Sequence, residues 1–157
     1  MLPFIPRPDL DVIDLLLGEH GCLLSLFRHI EMRLPNLPLA DVLSAGETLE
    51  SLLMAHAVEE DQLLFNALPA EQTGVKEALA AMAGEHNEQR RMLEELREET
   101  EVVLARGRLL RLIELTREHF AVEERILFGL AKQVLDDERR SALGREFARR
   151  RGLSQAH

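Results

Sequence analysis

HAVEEDQLLF at residues 56–65 and HFAVEERILF at residues 119–128 are two writings of one phrase, 63 residues apart. In each, a histidine (His56, His119) is followed four places on by a glutamate (Glu60, Glu123), then by an aliphatic pair and a phenylalanine. Residues four apart lie one turn apart on one face of an α-helix. Read as helices, both phrases set an imidazole and a carboxylate into an otherwise apolar stripe. One stripe reads Leu49, Leu52, Leu53, His56, Glu60, Leu63, Ala67. The other reads Leu109, Leu112, Thr116, His119, Glu123, Ile126, Leu130. Both phrases therefore predict helices that turn ionisable groups toward the interior.

A second shared phrase precedes each of these. Gly-Glu-His stands at 18–20 and again at 84–86. His20 falls in the stripe Ile13, Leu16, His20, Leu23, Phe27, and His86 in the stripe Leu79, Met82, His86, Gln89, Leu93, Leu96. Each half of the chain thus supplies one Gly-Glu-His helix and one His-x-x-x-Glu helix. The helical spacing predicts segments at about 9–33, 41–67, 73–106 and 108–133. Two prolines in LPNLPLAD (34–41) and Pro69 break the pattern, and Gly107 is the predicted turn between the third and fourth helices. A short amphipathic fifth helix is expected to start near Asp136, and the three prolines of residues 1–8 predict an extended lead-in. Nothing reads as a strand. The fold class is all-α. Four long amphipathic helices with short connections pack most simply as an antiparallel four-helix bundle with a short C-terminal fifth helix. A length of 157 residues suits a single domain.

Composition narrows the function. A formal net charge of −9 argues against nonspecific nucleic-acid binding, which needs a basic face. No apolar run approaches the roughly eighteen residues that span a membrane. The start, MLPFIPRPDLDV, has neither the charged n-region nor the long apolar stretch of a secretory signal. With Cys22 as the single cysteine no intrachain disulfide forms, and a cytoplasmic location is expected. Cys22 reads as an ordinary small side chain. The arginines at 139, 140, 145, 149, 150 and 151 read as a solvated helix end.

One His–Glu pair at this spacing on a surface is worth only a few tenths of a kcal/mol, roughly, and a lone inward histidine is an ordinary core residue. Six ionisable groups facing one interior are a different matter. Burying carboxylates uncompensated costs on the order of several kcal/mol each, and a cation held among them removes that cost. The candidate metal ligands are therefore His20, His56, Glu60, His86, His119 and Glu123. His29, on a mixed face, and His157, the last residue, are not included. A helix pair repeated about a pseudo-twofold axis gives two metals with two imidazoles each and the two carboxylates as bridges. Four nitrogens and two carboxylates without thiolate suit iron or manganese better than structural zinc. With a shared oxo or hydroxo group each metal reaches five ligands, leaving one octahedral position open to a small molecule. Glu59 and Glu124 read as solvated or outer groups. Glu19 and Glu85 either orient neighbouring imidazoles or sit on a solvated face.

The set His20, His56-x-x-x-Glu60, His86, His119-x-x-x-Glu123 resembles the hemerythrin-like, or HHE cation-binding, family, over about residues 9–150. The resemblance implies an up-down four-helix bundle around an oxo- or hydroxo-bridged non-haem diiron centre, with two Fe ions as the cofactor. Two positions depart from the oxygen-carrying hemerythrins. Arg90 stands where those proteins have a further histidine, and Glu123, not an aspartate one place later, follows His119. The four-His, two-Glu pattern is more similar to bacterial HHE proteins, including those that repair iron centres. No histidine has Glu three places before it, which sets the ferritin-like Glu-x-x-His sites aside.

Three functions fit such a site. The first is binding of O2 or NO for sensing, buffering or delivery, with Phe27, Phe65, Phe120, Phe128 and Leu24 as candidate pocket walls. The second is a diiron enzyme for NO reduction, peroxide removal or oxidation. The absence of Tyr and Trp weighs against long-range radical chemistry. The third is iron donation to another protein.

Overall fold

The structure is a computed structural model that describes residues 10–152. The expected lead-in at 1–8 and His157 lie outside those residues. Five α-helices follow one another, with no strand among the described residues: α1 (Val12–Arg33), α2 (Leu39–Glu59), α3 (Val75–Arg97), α4 (Val102–Val134) and α5 (Asp137–Arg150). A 3-10 turn, Leu34–Asn36, leaves α1, and a π-helical segment, Glu60–Phe65, continues α2.

The helix ends follow local chemistry. Asp11 caps α1 by accepting from the Asp14 backbone N–H, and Asp14 returns the bond to the Asp11 N–H, a reciprocal capping box. Asp136 caps α5 by accepting from the Arg139 N–H. The turn expected at Gly107 is instead at 98–101, and Gly107 lies inside α4. The Glu99 carboxylate accepts the backbone N–H groups of Thr100 (3.0 Å) and Glu101 (3.1 Å), satisfying donors at the start of α4. A glycine within a helix costs only about 1 kcal/mol. Buried Ala105 and Leu109 carry the apolar stripe across it.

The core is interrupted. One apolar cluster gathers Ile13, Leu16, Leu63, Leu64, Met82, Leu127, Phe128 and, from α5, Leu143 and Phe147. A second gathers Leu23, Phe27, Leu49, Leu53, Leu93, Leu112 and Phe120. On all four long helices the residues between these clusters are the polar ones. His20 separates Leu16 from Leu23, His56 and Glu60 separate Leu53 from Leu63, and His86 and Gln89 separate Met82 from Leu93. Thr116, His119 and Glu123 do the same between Ile113 and Leu127. Two stripe positions are corrected, since Leu52 and Ile126 are exposed. The fifth helix packs against α1 so closely that a Cβ on Gly144 would strike the Leu10 carbonyl oxygen, so only glycine fits there.

Candidate metal centre

Each of the six candidate ligands reaches the interior from a helix, and none is more than 4% exposed. The structure brings their ligand atoms into two groups that share Glu60 and could each hold a metal ion: His20, His56, Glu60 and Glu123, and Glu60, His86 and His119. Glu60 Oε1 contacts His56 Nε2 and lies 3.3 Å from His20 Nε2, while its Oε2 lies 3.6 Å from His86 Nε2. Glu123 Oε2 stands 3.5 Å from both His20 Nε2 and His119 Nε2. Both carboxylates therefore face imidazoles from both halves of the chain. His29 is exposed and takes no part.

The outward nitrogens explain how the rings are held. His20 Nδ1 meets Glu124 Oε1 at 2.9 Å, His56 Nδ1 meets Glu19 Oε1 at 2.9 Å, and His119 Nδ1 meets Glu85 Oε2. A carboxylate can only accept, so each of these Nδ1 atoms donates, and each Nε2 is left to face the interior. Glu19 and Glu85 thus orient imidazoles, and Glu124 does so as well. His86 lacks such support: Asp61 approaches its Nδ1 only to 3.8 Å, and that Nδ1 is buried without a hydrogen bond.

The Nε2 atoms of His20 and His56 are 2.9 Å apart. With both Nδ1 atoms donating, the two Nε2 atoms can stand this close only with a proton or a cation between them. Glu60 Oε2 and both Glu123 oxygens are likewise buried without hydrogen-bond partners among the described residues. A buried unpaired carboxylate is costly, so the donor set fits a bound cation pair.

The electrostatics point the same way. Burial opposes charge on His20, but contacts with Glu123, Glu60 and Glu124 outweigh it and push the ring up to about 10. Burial is likewise overcome at His56, where Glu60 and Glu19 raise the ring to about 9. At His86 burial wins, and the ring is pushed down to about 4. Glu60 is held well below the carboxylate range: despite its burial, the neighbouring His56 and His20 favour its charge. Glu123 is raised by burial and by the Glu60 charge beside it.

Apolar walls close the cluster. Phe120 stacks on His20 with centroids 3.9 Å apart, Phe128 lies 5.5 Å from the same ring, and Phe27 stacks behind Phe120. Phe65 is buried in the cluster that includes α5, and Leu24 packs at the edge of the other. Two further polar groups are buried without a partner for Gln89 Nε2 and Thr116 Oγ1. They lie one turn from His86 and His119, where the first half of the chain has Leu23 and Leu53. Glu59, read from the sequence as a solvated or outer group, is instead buried opposite Arg150 and Arg151 at 3.5 and 3.8 Å. No signal in the linear sequence pairs residues ninety places apart in this way.

No helix among the described residues is long and apolar enough to cross a membrane. No curated protein and no solved structure matches the chain. Residues 11–131 match the family described as Hemerythrin HHE cation binding domain. The match takes in most of the chain and every one of the six clustered groups, so the chain belongs to the hemerythrin HHE cation-binding domain family.

Proposed function

We propose that the chain acts as a single cytoplasmic domain, an up-down antiparallel bundle holding two iron ions, and binds O2 or NO for sensing, buffering or delivery. In this reading His20, His56, Glu60 and Glu123 hold one iron, and His86, His119 and Glu60 hold the other, with Glu123 reaching toward both. The observation that carries the reading is the pair of inward Nε2 atoms, 2.9 Å apart, whose Nδ1 atoms are both committed to carboxylates. Reduced iron with an open coordination position supplies the binding chemistry for a diatomic ligand.

The chain's own residues set the conditions. Glu124, Glu19 and Glu85 fix three imidazole orientations and raise their basicity. Phe120 and Phe128 exclude water from the His20 side. On the other side, Thr116 and Gln89 offer an O–H and an N–H to a ligand in an otherwise dry interior. The test is titration of the reduced protein with O2 and with NO. Reversible spectral change without consumption of the gas supports binding. Steady consumption of NO or peroxide would replace this reading with an enzyme, and ready loss of iron to an apo-acceptor would replace it with iron donation.

A further inference from the structure

The match to the family ends at residue 131, so α5 and the residue that follows it lie beyond the matched region. Arg151 nonetheless reaches back to the metal cluster. Its Nε donates to Glu19 Oε2 at 3.0 Å and its Nη2 donates to Glu19 Oε1 at 3.0 Å, a planar two-point grip. The same Nη2 donates to the Ala55 carbonyl at 3.2 Å, and the guanidinium lies over the Phe147 ring at 5.1 Å. Glu19 Oε1 is also the acceptor for His56 Nδ1, at 2.9 Å. Arg151, Glu19 and His56 therefore form one continuous chain from the end of α5 to a ring of the cluster. Next to it, Arg150 donates to Gln62 on the π segment at 2.6 Å.

The other half of the chain provides an internal control. Glu85 holds His119 Nδ1 as Glu19 holds His56, yet its side chain is 41% exposed and its one ion-pair partner among the described residues is His119. The Glu19 side needs more support because of its surroundings. A cleft of about 650 Å³ between α1, α2 and α5 is lined in part by Glu19, His56 and Arg151, against one of about 160 Å³ at Glu85 and His119. Water in that cleft reaches the Glu19–His56 bond wherever Glu19 is free to turn away.

We propose that Arg151 is a positioning residue: by gripping Glu19 it fixes the His56 ring, so retention of the metal held by His20 and His56 depends on α5 staying docked. This rests on the reading of the six groups as metal ligands. Carboxylates that orient ligating histidines set metal affinity by roughly 10–100-fold, which is the scale of effect expected here.

The test compares wild type, Arg151→Ala, Arg151→Lys and Glu85→Gln, each loaded with ferrous iron under reducing conditions and challenged with excess chelator. Thermal melts of the metal-free proteins run alongside. Arg151→Ala is expected to speed release of one iron per chain by about 10–100-fold while the other keeps its wild-type rate. Arg151→Lys, which keeps the charge but not the two-point grip, falls between the two. Glu85→Gln is expected to speed release of the other iron, and combining it with Arg151→Ala to speed both. Equal acceleration of both irons in Arg151→Ala, or no acceleration, overturns the proposal. So does a lowered melt with unchanged relative release rates, the mark of a purely structural contact. Wild-type protein that takes up no iron overturns the metal reading itself, and this inference with it.

Discussion

Residues 56–65 and 119–128 carry nearly the same ten letters, yet the first runs into the π segment Glu60–Phe65 while the second stays regular inside α4. His56 and His119 take equivalent places, as do Glu60 and Glu123, and all four are buried. After the glutamate the two copies part. Leu63 is 5% exposed, whereas its counterpart Ile126 is 48% exposed. Asp61 and Glu124 hold the same place after the glutamate, but Glu124 bonds His20 at 2.9 Å and Asp61 stops 3.8 Å short of His86. Aspartate is one methylene shorter, and here the contact is lost. The lesson is that the repeat duplicates the candidate ligands but not their support. Three imidazoles are steered by a carboxylate, and His86 is not. Single-turn π insertions often accompany functional sites, and this one lies beside the shared carboxylate.

The largest expected break in the comparison comes from the two glutamates. Glu60 belongs to both candidate groups, so Glu60→Ala is expected to leave the protein without either iron. Glu123→Ala leaves the Glu60, His86, His119 group intact and is expected to cost one iron of two. Elemental analysis of both variants measures this, and equal losses would show that the two carboxylates are equivalent after all.

Next is the divergence in burial. Leu63→Ala opens a cavity in the core and is expected to cost about 2–5 kcal/mol. Ile126→Ala, at an exposed position, is expected to cost about 0.5 kcal/mol or less. Chemical denaturation of the two variants decides whether the π segment turns Leu63 inward, and similar losses would contradict it.

A smaller effect concerns two unpartnered buried polar groups of the second half whose counterparts in the first are leucines. Thr116→Val and Gln89→Leu each remove one buried polar group. Each is expected to weaken NO binding by about tenfold, the worth of one hydrogen bond, with iron content unchanged. Binding isotherms on the reduced protein check it, and unchanged affinity in both variants would remove these residues from the ligand pocket. In the same range, Asp61→Glu is expected to supply the missing acceptor to His86 Nδ1 and to slow iron release from that side.

The smallest expected effect is a proton count. Coordination needs a free Nε2 lone pair. With His20 raised to about 10 and His56 to about 9, the metal-free pair holds a proton between its Nε2 atoms at pH 7 and must shed it on loading. His86, pushed down to about 4, has none to shed. Calorimetry in buffers of different ionisation enthalpy is expected to show fewer protons released in His20→Ala and His56→Ala but not in His86→Ala. The same shifts fix a sign for the metal-free fold. Rings raised above their ordinary 6.5 contribute stability that is complete below 6.5 and is lost as pH rises through 9 to 10.

Much of this was legible in the chain because two periodicities agreed. The 3.6-residue stripe gave the helices, and the polar interruptions of that stripe gave the six clustered groups. The start of α5 near Asp136 and the break at Pro69 were readable from local chemistry alone. Gly107 misled, because a glycine's preference for turns is weak beside an apolar stripe that continues through it. The true turn at 98–101 depends on the Glu99 side chain reaching two backbone donors, which no spacing rule encodes. The stripe placed both Leu63 and Ile126 inward and only Leu63 is buried; the exposure of Ile126 was hidden because the π segment changes the period within one copy of a repeated phrase. The grip of Arg151 on Glu19 spans 132 positions and follows only from how α5 docks on α1.

The central claim is that a pair of metal ions compensates the buried imidazoles and carboxylates. The most direct measurement is the metal content of purified protein, with its ultraviolet–visible spectrum, for wild type and for His56→Ala. Two irons per chain are expected in the wild type and one in the variant. Protein that folds and melts as well as wild type yet carries no stoichiometric metal, with His56→Ala equally stable, would contradict it.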